Sequence, residues 1–388
     1  MRLLSIQPVA ERGGSDQALV WLVRSLAGAG WECHVVLPAP SPMPETFAAA
    51  GATLHVVPMR RITTSGSPLR WVGYVAGWPV AVVRIVRLCR RIRPDVIHSN
   101  SLHSWYGWAV AALLGTPHVW HAREIVVQST AALRLERWLA KRFAARVIAI
   151  SGAVAAQLDP RNLVIVRDQA DPTEFSPGRA GAFRARAGIP DMAPLVGSVG
   201  RIDTWKGLDV LLDAVPAMQA AQPALQVAIA GPTVPGKEDH AEGLEKRAAG
   251  MPGVHWLGQR SDVAELLADL DVFVLPSTQP EPFGLVVSEA LTSGVPVVAT
   301  AAGGPQELLG ELGAAAGRLV TPGDPGELAG AALELLSSAG PTSTERRRRR
   351  ASLLPDRAPG AASFPQVFEA VVRPRSAPGP PTWSPPGP

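Results

Sequence analysis

Residues 278–309 read TQPEPFGLVVSEALTSGVPVVATAAGGPQELL and set two carboxylates, Glu281 and Glu289, eight positions apart around a Phe283-Gly284-Leu285 run. Leu285, Val286, Glu289, Ala290 and Leu291 ahead of Gly294 suit a helix that opens near Gly284 and closes at Gly294. A helix start attracts anions through its free backbone N–H groups, and Gly284 lets the backbone approach such a group closely. Acids at that place need a different task. Carboxylates accept hydrogen bonds from paired hydroxyls, so two acids flanking a bound diphosphate could grip two polyols. A sugar nucleotide presents that order of groups: sugar hydroxyls, diphosphate, ribose hydroxyls.

Arg201 and Lys206 stand in GRIDTWKG, directly after the apolar run LVGSVG. Cations fixed there would stabilise the charge that develops on a departing nucleoside diphosphate, far better in a dry site than in water. Gly13 and Gly14 follow the first apolar run and precede the first helical pattern, where backbone can approach a diphosphate or an acceptor. His121 closes the run HVWHA, and Arg123 and Glu124 follow it as candidates for holding acceptor or donor. His98, His103, His118 and His121 invite a zinc reading, but residues three apart on a strand point to opposite faces, so His118 and His121 would not share one ion. GPTVPGKE, residues 231–238, imitates a phosphate loop yet has Glu238 where Ser or Thr is required, and Pro232 and Pro235 remove two N–H donors. An ATPase is therefore excluded. The missing Gly-x-Gly-x-x-Gly after a strand argues against a nicotinamide enzyme.

These residues have to be positioned by a scaffold. In the first half, LLSI, CHVVLP, TLHVVP, DVIHSN, HVWHA, RVIAIS and LVIVRD alternate with helical patterns; in the second, LVGSVG, LQVAIAG, VHWLG, DVFVLPS, PVVAT and RLVTPG do the same. Such alternation means parallel strands joined by helical crossovers. The expected fold is α/β, with two Rossmann-like parallel-sheet domains facing across a cleft and ligands held beyond the C-terminal strand ends. Leu19, Leu22, Val23 and Leu26 predict a first helix capped by Ser15 or Asp16. The proline- and glycine-rich segment 171–193 reads as a link between an N-terminal domain, 1–170, and a C-terminal domain, 194–340. Residues 341–372 are expected to hold a last helix, with Phe364, Val367, Phe368 and Val371 at helical spacing, and 373–388 a Pro-rich disordered tail.

With 388 residues, 47% hydrophobic and 18% charged, the chain has enough apolar content for two cores. A net charge of +4 suits anionic partners without implying nucleic acid. Cys33 and Cys89 sit in apolar stretches and read as reduced core thiols of a cytoplasmic protein. The N-terminal apolar run is too short for a signal peptide, and Trp71 to Val83 too short for a membrane span. In 69–91, however, Arg84, Arg87, Arg90 and Arg91 follow an apolar run, a pattern open to peripheral contact with anionic lipid as well as to packing on the sheet. Arg346–Arg350 is read as a solvated run.

The acid pair with Pro-Phe-Gly-Leu after its first member and the Gly-Gly turn beyond it resembles the signature of retaining glycosyltransferases of family four, glycosyl transferases group 1, of GT-B fold. VGRIDTWKGLDVLLDA at 199–214, GRLVTPGD at 317–324, ERGGSDQALVWLVRSLA at 11–27 and DPTEFSP at 171–177 carry the same resemblance. It implies that Glu281 binds the donor sugar hydroxyls, that the backbone of Phe283, Gly284 and Leu285 meets the phosphates, and that Glu289 takes the ribose. It also implies that Arg201 and Lys206 bind the diphosphate, that His121 lies beside the reacting sugar, and that Gln259 and Arg260, in WLGQRSDV, line the base pocket. Acceptors in such enzymes bind the first domain, where Trp71, Tyr74, Trp78, Trp105, Tyr106 and Trp108 gather; Trp105, Arg123 and Glu124 are the acceptor candidates. RDQAD at 167–171 departs from the Asn-Gly-Val-Asp the family often has there.

The expected activity is retaining transfer of a hexose-type sugar from a UDP- or GDP-sugar to a hydroxyl acceptor, whether glycan, lipid-linked sugar or small molecule, with no metal and no cofactor. A sugar-nucleotide binder without turnover and an epimerase of GT-B type are the alternatives. The expected location is the cytoplasm, with peripheral contact at the inner face of the membrane.

Overall fold

The structure, a computed structural model, describes residues 1–11, 13–60, 68–126, 129–158, 162–339 and 363–372, with the side chains of 68–71 and 338–339 left aside. Contacts divide the chain into two compact units, residues 1–168 with 359–388, and residues 169–358.

The first unit runs β1 (Arg2–Ile6), α1 (Gly14–Gly28), β2 (Glu32–Leu37), α2 (Pro44–Ala49), β3 (Ala52–Val56), α3 (Pro68–Ile92), β4 (Val96–Ser99), α4 (Tyr106–Leu114), β5 (His118–Ala122), α5 (Thr130–Phe143), β6 (Arg146–Ala149), α6 (Gly152–Ala156) and β7 (Leu163–Ile165). Its strands form one parallel sheet of seven in the order β3-β2-β1-β4-β5-β6-β7. Every strand in it coincides with one of the seven apolar runs. One face is covered by α1 and α2, whose Leu19, Leu22, Leu26 and Phe47 are fully buried; α3 and α4 cover the other with Ile85 and Val110.

The cap of α1 differs from expectation. Gly13 is the N-cap and no side chain closes the helix. Asp16 turns instead to the residue just after β1, where its carboxylate accepts a hydrogen bond of 3.2 Å from the Gln7 amide. The apolar run expected to end at Val83 is only the first half of α3, and Val72–Ile92 reaches the length and apolarity of a membrane crossing. Pro79 does not break it, because Pro79 and Val75, whose carbonyl loses its N–H partner, both lie on the exposed side. Ala81, Val82, Ile85 and Cys89 on its other side are packed into the core of the unit.

The second unit runs α7 (Ala182–Ala187), β8 (Leu195–Val199), α8 (Leu208–Ala221), β9 (Gln226–Ala230), α9 (Glu238–Ala249), β10 (Val254–Gly258), α10 (Val263–Asp269), β11 (Val272–Leu275), α11 (Leu285–Thr292), β12 (Val297–Thr300), α12 (Gly304–Leu312), β13 (Gly317–Val320) and α13 (Pro325–Ala339). Its parallel sheet of six has the order β10-β9-β8-β11-β12-β13. The order reverses between β8 and β11, which are direct neighbours, so the loops that leave both strands emerge side by side.

Segment 171–193 contains α7, which packs on α10. The Asp269 carboxylate of α10 accepts hydrogen bonds from the backbone N–H groups of Gly181, Phe183 and Arg184, the last two at 2.9 Å. A last helix, α14 (Phe364–Val372), lies against α1 and β4 of the first unit. Phe364, Val367 and Phe368 are buried there, and the Phe368 ring meets Trp31 edge-on at 6.1 Å. Residues 341–362, the Arg346–Arg350 run and 373–388 lie outside the described residues.

Candidate active site

In the second unit, the loop after β8 brings Lys206 to the loop after β11. Lys206 Nζ lies 2.5 Å from Glu281 Oε1, and the Ser277 hydroxyl donates to the same oxygen at 2.6 Å. Ser277 is held in turn by the Thr300 hydroxyl, which donates to its carbonyl at 2.8 Å. Lys206 also lies 4.3 Å from the centre of the Trp205 ring, and the Trp205 indole N–H donates to Asp203 at 3.0 Å. The Trp205 carbonyl accepts from the Thr278 N–H at 2.8 Å, so the two loops are joined by backbone as well as by charge. Gly207, which closes the first loop, has φ +66, and a Cβ there would stand 2.0 Å from the Pro276 carbonyl oxygen; only glycine lets the loops approach this closely.

The Gly-Gly turn has a comparable task. The Gly304 N–H donates to the Glu281 carbonyl at 2.9 Å, and a Cβ on Gly303, at φ +74, would stand 2.1 Å from that same oxygen. Glu281 is thereby held by backbone beneath and by Lys206 and Ser277 at its carboxylate. Its other oxygen, Oε2, has no hydrogen-bond partner among the described residues.

As expected, Gly284 is the N-cap of α11, with no side-chain cap. The first-turn N–H groups, those of Leu285 and Val286 among them, have no carbonyl four residues back within the helix. Phe283 is buried beside this turn and fixes its path. Neither glutamate faces bulk solvent: Glu281 is 4% and Glu289 7% exposed. Burial, followed by the negative charge of Glu174, pushes the Glu289 carboxyl up to about 8. Arg201 is exposed just beyond β8 and forms no ion pair among the described residues.

Gln259 is exposed in the loop after β10, whereas Arg260 is committed to Asp262 through two hydrogen bonds of 2.8 and 2.7 Å. This pair holds the Asp262 carboxyl down at about 2. Glu238, at the false phosphate loop, accepts the Gly236 N–H at 2.9 Å.

In the first unit the C-terminal strand ends carry one continuous polar chain. Gln7 links Asp16 to Asn100, at 3.2 and 3.0 Å. Asn100 Oδ1 accepts from Arg123 Nε at 2.8 Å, and the Arg123 guanidinium donates to Asp168 at 2.5 Å. His121 Nδ1 lies 3.5 Å from the same guanidinium and 3.3 Å from His98 Nε2, and His98 Nδ1 lies 2.9 Å from the Ser5 hydroxyl. Burial above all, then Arg123, keeps both imidazoles well below the usual histidine range, hence neutral. Since Arg123 can only donate, His121 Nδ1 is the acceptor and its proton resides on Nε2. That N–H is buried without a partner among the described residues, as are Asp16 Oδ2 and Asp168 Oδ1. Burial also pushes the Asp16 carboxyl up to about 7.

Gly13 and Gly14 open α1, and a Cβ on either would meet nothing within 4 Å. Glu124 accepts from the Ser101 hydroxyl and from the Leu102 N–H at 3.1 Å, which ties it to the loop after β4. The Trp105 indole N–H points to Glu136 at 3.4 Å, and Glu136 also holds His103 at 2.7 Å. His118 bonds the Ser99 hydroxyl at 3.0 Å, apart from the His98–His121 pair.

Sequence reasoning did not single out Gln7, Asn100, Asp168, Ser277 or Thr300 for the site, and took Asp16 only as a helix cap. Asp168 belongs to the divergent RDQAD stretch, which here supplies the counter-charge of Arg123.

With this geometry in view, similarity to known proteins identifies the chain. The family described as Glycosyl transferases group 1 matches residues 193–338, and the Glycosyl transferase 4-like domain matches 13–170. A GDP-mannose-dependent alpha-mannosyltransferase of Mycobacterium tuberculosis is 31% identical over 76% of this chain and 77% of its own length. The chain belongs to the glycosyl transferases group 1 family. It is a glycosyltransferase of GT-B fold: Anabaena HepE, crystallised with UDP and glucose, superposes with a TM-score of 0.76 at 25% identity, over 91% of this chain and 95% of that one. D-inositol 3-phosphate glycosyltransferases are similar too, that of Stackebrandtia nassauensis being 29% identical over 76% of this glycosyltransferase and 72% of the relative.

Proposed function

We propose that this glycosyltransferase moves a hexose-type sugar, with retention, from a UDP- or GDP-sugar to a hydroxyl acceptor. The observation that carries the reading is the contact between Lys206 and Glu281 where the loops after β8 and β11 meet, beside the open turn of α11. Lys206 and Arg201 neutralise the diphosphate, the N–H groups after Gly284 bind its oxygens, Glu281 accepts from the sugar hydroxyls and Glu289 from the ribose. The His121 Nε2–H donates to a sugar hydroxyl, and the first unit supplies the acceptor site. A relative named for GDP-mannose and a neighbour crystallised with UDP-glucose support these two donor classes.

In the reaction the bond from the anomeric carbon to the phosphate oxygen breaks, and the acceptor oxygen bonds that carbon on the same face. The acceptor proton passes to the departing phosphate oxygen. Glu281 serves the sugar hydroxyls rather than attack: Lys206 and Ser277 fix its Oε1, and its Oε2 is the oxygen that accepts from those hydroxyls. Fixed cations take the part a divalent metal plays in other transferases, so activity persists in chelator. The buried free thiols of Cys33 and Cys89, pushed up to about 12, suit a reducing cytoplasm.

A panel of UDP-, GDP-, ADP- and dTDP-sugars, scored by thermal shift and slow donor hydrolysis, tests the reading. One donor stabilises the protein and releases its nucleoside diphosphate; a panel without any shift sinks the proposal, and turnover without release of the diphosphate marks an epimerase. NMR of the transferred sugar reads retention directly.

Glu289 gives a signed pH dependence. Its carboxyl is protonated at neutral pH, and ribose hydroxyls that donate to it favour the anion, so binding releases a proton. Nucleoside diphosphate affinity should therefore rise with pH up to about 8 and level off above it. Calorimetry in buffers of different ionisation enthalpy measures the proton release. Glu289→Gln should flatten the profile, and an affinity that falls with pH would refute the assignment.

A further inference from the structure

The outer side of the α3, α4 and α5 layer is used by neither the donor site nor the polar chain. These helices pack in series, and their aromatic rings run on from one to the next: Tyr74 and Trp78 on α3, Tyr106 and Trp108 on α4, Phe143 and Trp138 on α5, with neighbouring centroids 4.8 to 6.4 Å apart. That ladder fixes the layer from within. On its outside, the exposed residues of α3 from Val72 to Val83 are Val72, Val75, Ala76, Gly77, Pro79, Val80 and Val83, without one charge. Val72 and Val75 are 66% and 64% exposed, and on α5 Trp138 is 58% exposed. A strip about 18 Å long is thus left apolar and uncovered.

Charge supplies the second observation. Beyond Val83 the exposed positions of α3 become Arg84, Arg87, Arg90 and Arg91, none of which forms an ion pair among the described residues. Arg134, Arg137, Lys141 and Arg142 are exposed on α5, on both sides of Trp138. The three helices hold a single acid, Glu136, which is buried against His103. A soluble acidic partner would satisfy the arginines but not the valines. A second copy would bring the same cations together. A bilayer with anionic headgroups meets both, its acyl boundary receiving Val72–Val83 and Trp138 and its phosphates receiving the arginines. The buried side of α3, with Ile85 and Cys89 in the core, keeps the helix lying along the surface rather than across it.

We infer that the outer face of α3 and α5 docks this enzyme on an anionic membrane surface. The test is sedimentation of the full chain with vesicles of phosphatidylcholine alone or mixed with phosphatidylglycerol, at low and at raised salt. Binding should need phosphatidylglycerol and weaken with salt. The double variant Val75→Asp, Val83→Asp and the quadruple variant Arg84→Gln, Arg87→Gln, Arg90→Gln, Arg91→Gln should each lower partitioning about tenfold or more. Circular dichroism and donor hydrolysis in solution should stay unchanged, which separates lost docking from lost fold or donor site. Changing all five of Arg346–Arg350 to Gln should leave binding intact. The inference is overturned by absence of binding at low salt, by equal binding to neutral vesicles, by face variants that bind as the parent does, by loss of binding only in the 346–350 variant, or by a dimer that Val75→Asp dissociates.

Discussion

Lys206→Ala should slow sugar transfer about a hundredfold to a thousandfold, on the order of 3 kcal/mol of barrier, the size of a lost oxyanion donor. The ammonium sits 2.5 Å from Glu281, so its removal acts twice. On the proposed reading the departing diphosphate loses a cation that cannot be replaced by water at equal strength. Glu281, 4% exposed, loses its counter-charge, and its carboxylate is left to Ser277 alone. Lys206→Arg should recover only part of the rate, since a planar fork does not fit where a compact ammonium reaches Glu281 and the Trp205 face together. Single-turnover kinetics over a range of donor concentrations separates the two effects: a loss confined to the saturated rate reports the leaving group, while a weaker donor affinity reports Glu281. A variant with wild-type turnover would remove Lys206 from the site.

Phe368→Ala should destabilise the first unit by about 3–5 kcal/mol, the usual cost of a buried phenylalanine. The ring is fully buried between Trp31 at 6.1 Å and His98 at 5.6 Å. Its neighbour Phe364 lies 5.8 Å from the His121 ring, so the damage reaches the polar chain beneath. Urea unfolding followed at Trp31 measures the loss. A chain cut after residue 358 removes all of α14 and should behave worse than the point variant. Retained stability in both would show that the helix merely rests on the sheet.

The strands were legible because the central ones are short apolar runs buried on both faces, while the edge strands β3 and β10, only half-buried, still keep Leu54 and Val56, and Val254, Trp256 and Leu257, in unbroken short runs. The start of α11 was legible for a local reason as well, since Gly284 and the apolar periodicity behind it stand in one stretch of chain. What escaped was set by distance along the chain. Asp16 looked like a cap because its partner, Gln7, belongs to a strand end that local pattern cannot relate to it. The Gln7–Asn100 and Arg123–Asp168 contacts span 93 and 45 residues, and no spacing rule connects them. Likewise α7 looked like linker, because the carboxylate that caps it comes from Asp269, 86 residues from Phe183. Segment 69–91 was legible as one helix from its apolar run and the arginines behind it, and it is α3; Pro79 is tolerated inside it because it lies on the side turned away from the core.

The backbone clasp of Glu281 by Gly303 and Gly304 has a consequence for how donor choice changes over time. Main-chain atoms, rather than side chains, secure the acid's address. On the proposed reading, residues around the nucleobase can therefore change, or be shuffled by an engineer, without moving the acid that receives the sugar hydroxyls. Nucleotide preference and the seat of the sugar become separately adjustable, provided the two glycines are left alone.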